Sequence, residues 1–132
     1  MNIFEAFESK PVEEDGKWFD LGPDSKIKLL YMGCEKARRK HENLMRPFAQ
    51  RQKMGLELTE EESKAVNSKF LSECLVLDWK GIKGKDKEEI PYSAEAVAAI
   101  TEELPRFTAL ILRIAMDETN FEKELVETET GN

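Results

Sequence analysis

Beyond residue 30, apolar residues recur mostly at steps of three and four, the spacing that predicts amphipathic helices. The first predicted helix has its apolar stripe between Leu30 and Phe48, and Pro47 disrupts it near its end because proline lacks an amide hydrogen. The second begins at the capping box Thr59-Glu60-Glu61-Glu62 and continues to about Trp79. Its last two turns are apolar on nearly all sides, so we expect them in the core or in a subunit interface.

Two further helices are predicted near the C-terminus. Ser93 caps one that continues to Glu103, and Pro105 suits the first turn of the next, where a missing amide hydrogen costs nothing. This last helix extends through Phe121 to Leu125. Its apolar residues include Phe107, Leu110, Ile111 and Ile114. They are too many for one buried side, so we expect core packing to account for most of them and a partner or self-association surface for the rest.

The N-terminal part predicts strands instead. The runs 17–21 and 26–30 flank Gly22-Pro23-Asp24-Ser25, a sequence typical of a turn, and thus predict a β-hairpin that buries Trp18 on the helices. The predicted fold class is therefore mainly α, a small helical domain of four or five helices with an N-terminal β-hairpin.

The length of 132 residues, 40% of them apolar, predicts a single domain with one core. We divide residues 1–132 into a flexible N-terminal segment (1–15), the β-hairpin (16–31), a helical core (33–125) and a frayed acidic tail (126–132). The chain has no run of about 18 apolar residues and no signal-peptide pattern at its start, so we expect neither a membrane span nor secretion.

Charge is segregated along the chain, although the total is only −7. Residues 33–55 contain seven basic and two acidic side chains, whereas residues 86–132 contain four basic and twelve acidic ones. The basic helix, which includes Arg38 and Arg39, is expected to be a solvated face or to pair with acidic surfaces of the same chain or of a neighbouring subunit. Nucleic-acid binding is disfavoured because aromatic interleaving, glycine-rich loops and a helix-turn-helix pattern are missing.

The sequence predicts no catalytic, cofactor or metal site. Cys34 and Cys74 with a single histidine supply too few ligands for a Cys/His zinc site, and we read both as reduced packing residues in a cytoplasm. Most carboxylates fall in caps, loops or the tail, and the two inside the apolar helix, Glu73 and Asp78, are expected on its exposed face. Residues 81–85 lack the spacing of a phosphate-binding loop. We therefore expect a protein that is not an enzyme.

Three short segments carry a resemblance to a known family. They are Asp78-Trp79-Lys80-Gly81-Ile82, Ile90-Pro91-Tyr92-Ser93 after a charged loop, and Leu104-Pro105-Arg106-Phe107. Together they resemble the small tail assembly chaperones of long-tailed, siphovirus-like bacteriophages. The resemblance covers about residues 70 to 121 well and the N-terminal half only in layout. Its structural motif residues here are Trp79, Gly81, Ile82, Pro91, Tyr92 and Ser93, and the basic helix departs from it.

The resemblance implies a mostly helical chaperone of the host cytoplasm that is absent from the mature virion. Such proteins bind the tape measure protein, keep it soluble and help the tail tube protein polymerise around it. Many also exist in a longer, frameshifted form. We expect a homo-oligomer whose partner-binding residues are Arg38, Arg39, Phe107, Leu110, Ile111 and Ile114. The alternatives are a structural virion component, such as a tail-completion or connector protein, and a small regulatory adaptor.

Overall fold

A computed structural model describes residues 1–8 and 10–123. Three strands form one antiparallel sheet in the order β1 (Lys17–Gly22), β2 (Ser25–Leu29) and β3 (Val76–Lys80). One face of the sheet is buried against helices and the other faces solvent. The buried face presents Ile27 and Leu29 from β2, and Val76 and Trp79 from β3.

The predicted mainly α class with an N-terminal hairpin is wrong, because the fold is a mixed α/β one. The two N-terminal strands are part of a three-stranded sheet, and residues 76–80, predicted as the end of a helix, form its third strand. The physical reason is a bulge. Val76 pairs with Leu29 and Trp79 with Ile27, so two inward residues of β3 stand three positions apart instead of two. That spacing imitates a helical period in the sequence.

Helices occupy most of the remaining chain. The α-helices are α1 (Ile3–Phe7), α2 (Glu35–Met45), α3 (Ala49–Lys53), α4 (Glu60–Phe70), α5 (Ala94–Glu103) and α6 (Pro105–Met116). Arg46–Phe48 and Glu118–Phe121 form 3₁₀ turns, and Leu71–Leu75 forms a π turn between α4 and β3. Three predicted helix starts are confirmed: the Thr59 capping box, the Ser93 cap and Pro105 in the first turn.

The last helix ends earlier than predicted. It stops at Met116, and the Asp117 carboxylate then accepts a hydrogen bond from the Thr119 amide and starts a separate 3₁₀ turn. This turn inserts Phe121 into the core, where its ring packs against Phe19 and Tyr31 at centroid distances of 5.2 and 5.3 Å. The predicted end at Leu125 and the predicted frayed tail at 126–132 lie outside the described residues.

The outer face of the sheet carries charged residues and one tryptophan. Trp18, predicted to be buried, is 37% exposed, because the alternation along β1 turns it outward beside Lys28. The Lys80 amine lies 5.1 Å from the centre of its ring, a cation–π arrangement. Across residues 1–8 and 10–123, the helices are all too short or too polar to traverse a bilayer.

Candidate functional site

An apolar cleft of about 830 Å³ lies between the 81–92 loop and the junction of α5 and α6. Charged side chains surround it on both walls. Its apolar lining consists of Ile82, Ile90, Ile100, Leu104 and Phe107, and its charged lining of Lys83, Lys85, Asp86 and Glu103. A concave apolar surface with a polar rim is the arrangement that binds an apolar segment of another molecule.

Two aromatic residues of the predicted motif hold the loop wall in place. The Trp79 indole Nε1 donates a hydrogen bond to the Ile90 carbonyl oxygen at 2.8 Å, and the Tyr92 hydroxyl donates one to the Val76 carbonyl oxygen at 2.8 Å. The two rings meet edge to face with centroids 5.8 Å apart. Burial raises the pKa of Tyr92 above its usual value, so its hydroxyl keeps the proton that it donates. The loop is thus attached to β3 at Ile90 and at Tyr92.

Gly81 fixes the start of the loop. Its φ of +73° is the left-handed conformation that the sequence predicts, but it ends a strand rather than a helix. A Cβ atom at this position would lie 1.9 Å from the Asp24 carbonyl oxygen, and the Ser25 hydroxyl donates to the Gly81 carbonyl at 2.9 Å. The loop therefore begins in direct contact with the turn between β1 and β2.

The charged loop is itself a closed turn. The Ile90 amide donates to the Ile82 carbonyl at 2.7 Å, and the Gly84 amide donates to the Glu88 carbonyl at 3.0 Å. The Asp86 carboxylate accepts from the Glu88 amide at 3.0 Å, as in a compact polar turn. This closure places Ile82 and Ile90 side by side on one wall of the cleft.

Hydroxyl groups connect the two helices of the opposite wall. The Thr108 hydroxyl donates to the Thr101 carbonyl at 2.9 Å, and the Thr101 hydroxyl donates to the Val97 carbonyl at 2.7 Å. The first bond joins α6 to α5 and helps to fix the angle between them, whereas the second lies within α5 and holds the buried Thr101 side chain in place. Leu104, at the junction, remains 49% exposed and lines the cleft.

The structure separates the predicted partner-binding residues. Phe107 lines the cleft, whereas Ile111 is completely buried in the core and Ile114 packs against it. Leu110 is 37% exposed but does not line the cleft. Arg38 and Arg39 are exposed on α2, where Arg39 pairs with Glu35 one turn away. Of the motif residues, Pro91 is exposed and the Ser93 hydroxyl accepts from the Ala96 amide at 3.0 Å.

Sequence reasoning missed the cleft as a site. In the sequence, Ile100 lies in a predicted helix and Leu104 follows its end, whereas Ile82 and Ile90 flank a charged loop. The usable signal was the pair of isoleucines that flank this loop, because apolar residues at both ends of a polar turn can meet on one side of it. Their meeting with α5 and α6 depends on tertiary packing, which the local pattern does not contain.

Ionisable groups elsewhere take part in structural contacts. In the described part of the chain, no group of three or more His, Cys, Asp or Glu side chains is placed to hold a metal ion. Cys34 and Cys74 are buried free thiols, and burial raises the pKa of Cys74. Glu73, predicted on an exposed face, is indeed exposed and pairs with Lys40 of α2.

Comparison with known proteins gives one family. A family model described as YdaY prophage protein matches residues 32–132. The matched range contains every residue that lines the cleft and all six motif residues. No curated protein and no solved structure matched the chain.

Proposed function

The chain belongs to the YdaY prophage protein family, and from this premise we propose that it is a non-enzymatic tail assembly chaperone of a phage. It binds the tape measure protein, keeps it soluble and assists polymerisation of the tail tube protein. A frameshifted longer form of the chain is a further partner. The protein works in the host cytoplasm and does not enter the mature virion. Its family membership and the chaperone resemblance around residues 78–93 support this proposal.

The apolar cleft is the observation that carries the proposal. Five apolar side chains line it, and four charged ones, Lys83, Lys85, Asp86 and Glu103, lie around them. This composition suits the apolar face of an amphipathic helix, which binds through side chains spaced three and four residues apart. A tape measure protein is long and helical, so it offers such faces repeatedly.

The size of the cleft implies weak binding at each site. A volume of about 830 Å³ accommodates a few side chains. Each buried aliphatic or aromatic side chain contributes about 1.5–3 kcal/mol, and association itself costs at least about 4 kcal/mol. One cleft therefore holds one helical segment reversibly. A long client bound by many copies gains total affinity from their number, and each copy can still dissociate when the tail tube replaces it.

Co-expression with the tape measure protein of the same prophage tests the proposal. We expect the wild-type chain to keep this client soluble and to co-purify with it. Leu104→Asp introduces a charge into the cleft and should abolish both effects. Leu56→Asp is the matched control, since Leu56 is 52% exposed, close to the 49% of Leu104, and lies outside the cleft. Circular dichroism of both variants checks that they fold.

Two results would contradict the proposal in different ways. If folded Leu104→Asp protein still solubilises the client, the cleft is not the binding surface. Leu110→Asp would then test the exposed part of α6 that the sequence indicated. If the wild-type chain fails to bind the client and is instead present in purified particles, it is a structural virion component and not a chaperone.

A further inference from the structure

The helix α1 is an apolar element that the rest of the described chain leaves uncovered. Its side chains Ile3, Phe4 and Phe7 are 60%, 84% and 74% exposed, and the helix has no buried residue. The Asn2 side chain caps it by accepting hydrogen bonds from the amides of Phe4 and Glu5 at 3.0 and 3.2 Å. A helix of five residues gains little from its own hydrogen bonds, and exposed apolar clusters of this kind mark interaction sites.

The cleft has a shape complementary to α1, and its lining includes two lysines. It is concave where α1 is convex, and apolar residues one helical turn apart, Ile3 and Phe7, are the anchors that a groove of this kind accepts. The polar side of α1 carries Glu5, and Glu8 follows directly. These carboxylates can pair with Lys83 and Lys85, which line the cleft beside Asp86 of the same loop.

The attachment of α1 favours the cleft of another copy. The Pro11 carbonyl accepts from the Lys123 amide at 2.9 Å, and the Glu13 amide donates to the Phe121 carbonyl, so this stretch is fixed beyond the C-terminal end of α6. The cleft lies at the opposite end of α6, whose 12 residues span about 18 Å. Residues 8–10 allow at most about 14 Å between Phe7 and Pro11, which is less than the length of α6. The distance therefore favours the cleft of another copy over the cleft of the same chain.

We propose that α1 of one copy docks in the cleft of a second copy, so that the chain associates with itself through the same cleft that the proposed function gives to the client. Because each copy has both elements, a reciprocal exchange makes two equal contacts and closes a symmetric dimer. A client helix then competes with α1 for the cleft. The association itself needs no client, so it can be tested independently of the proposed function.

Sedimentation of the 132-residue chain without any client is the test. We expect a concentration-dependent dimer for the wild type. Ile3→Ser with Phe7→Ser removes the α1 anchors, and Leu104→Asp blocks the cleft. Each variant should weaken dimerisation by about tenfold or more, as expected for residues central to an interface. Met54→Ser is the control, since Met54 is 70% exposed but belongs to neither surface.

Mixing the two variants gives the decisive result. The α1 variant keeps an intact cleft and the cleft variant keeps an intact α1, so together they should form a one-to-one heterodimer, although each alone is largely monomeric. A monomeric wild type would overturn the proposal, and so would a dimer that survives both substitutions. Circular dichroism first checks that both variants fold. Failure of the folded variants to form the heterodimer, which retains one of the two contacts, would also overturn the proposal.

Discussion

Replacement of Trp79 by alanine tests how the cleft is attached to the core. Trp79 is 3% exposed, lies on the inner face of β3 opposite Ile27, and holds the Ile90 carbonyl through its indole nitrogen. It also packs edge to face on Tyr92. The substitution therefore removes a core ring, an aromatic contact and a hydrogen bond to the cleft wall in one step.

The expected loss of unfolding free energy is about 3–5 kcal/mol, the range for deletion of a large buried aromatic side chain. This is a large share of the roughly 5–15 kcal/mol that stabilises a domain. Trp79→Phe separates the contribution of the buried ring from that of the indole hydrogen bond. It keeps an aromatic ring in the core but has no donor for the Ile90 carbonyl, and we expect a loss of about 1–2 kcal/mol, mainly from that hydrogen bond.

Urea unfolding followed by far-ultraviolet circular dichroism measures both values, with equal slopes as the check that unfolding remains two-state. Hydrogen exchange at the Ile90 amide, which donates to the Ile82 carbonyl, reports on the cleft wall directly. It should accelerate in Trp79→Phe by more than the global stability change explains. A loss below about 1.5 kcal/mol for the alanine variant would mean that the indole is not a core group, and the reasoning would fail.

Three further predictions concern other parts of the chain. Gly81→Ala should lower the melting temperature strongly, whereas Gly22→Ala should not, since only the first has a positive φ and a backbone atom within 3 Å of the new Cβ; equal melting temperatures would contradict this. Glu62 of α4 forms an ion pair with Arg51 of α3, in which Arg51 Nη1 lies 2.7 Å from a carboxylate oxygen of Glu62. The hydrogen bond from Arg51 lowers the pKa of Glu62 to about 2, so the stabilising contribution of Glu62 is present above the unfolded value of about 4.3 and is lost as pH falls towards 2. The melting temperature of Glu62→Gln should therefore be below the wild-type value at pH 7, and the difference should shrink at pH 2.5; a constant difference would argue against the ion pair. Arg38→Glu with Arg39→Glu should weaken client binding or self-association at low salt without unfolding, and less so at physiological salt, where screening acts over about 8 Å; no change at low salt would leave this face as solvated surface.

Features that depend on neighbouring residues were predictable. The Thr59 capping box, the Ser93 cap and the start of α6 at Pro105 each follow from a few adjacent side chains, and all three are present. The third strand was not predictable in this way. Its pairing partner lies far away in the sequence, and the bulge at Leu77 gives its inward residues a helical spacing.

The candidate site was predictable only in pieces. Phe107 was identified as a partner residue and Ile82 as part of a motif, and both line the cleft. Ile111 has the same apolar character and lies one turn beyond Phe107, yet it is completely buried. Residues four apart lie on the same side of a helix, so the difference arises from position along α6. Phe107 is in the first turn, beside the open junction with α5, whereas Ile111 lies in the middle of the helix over the core. The local sequence does not contain that tertiary contact.

The late position of β3 has a consequence for synthesis on the ribosome. The central strand β2 ends at Leu29, and its partner β3 begins only at Val76. β2 therefore cannot pair with β3 until residues 30–75 have been synthesised. Closing a loop of this length slows folding more than it reduces stability. A nascent chain that has emerged only as far as α4 still lacks β3, whose Trp79 pairs with Ile27, and it also lacks both walls of the cleft. The cleft can therefore form only late in synthesis, after β3, the 81–92 loop, α5 and α6 have all been made.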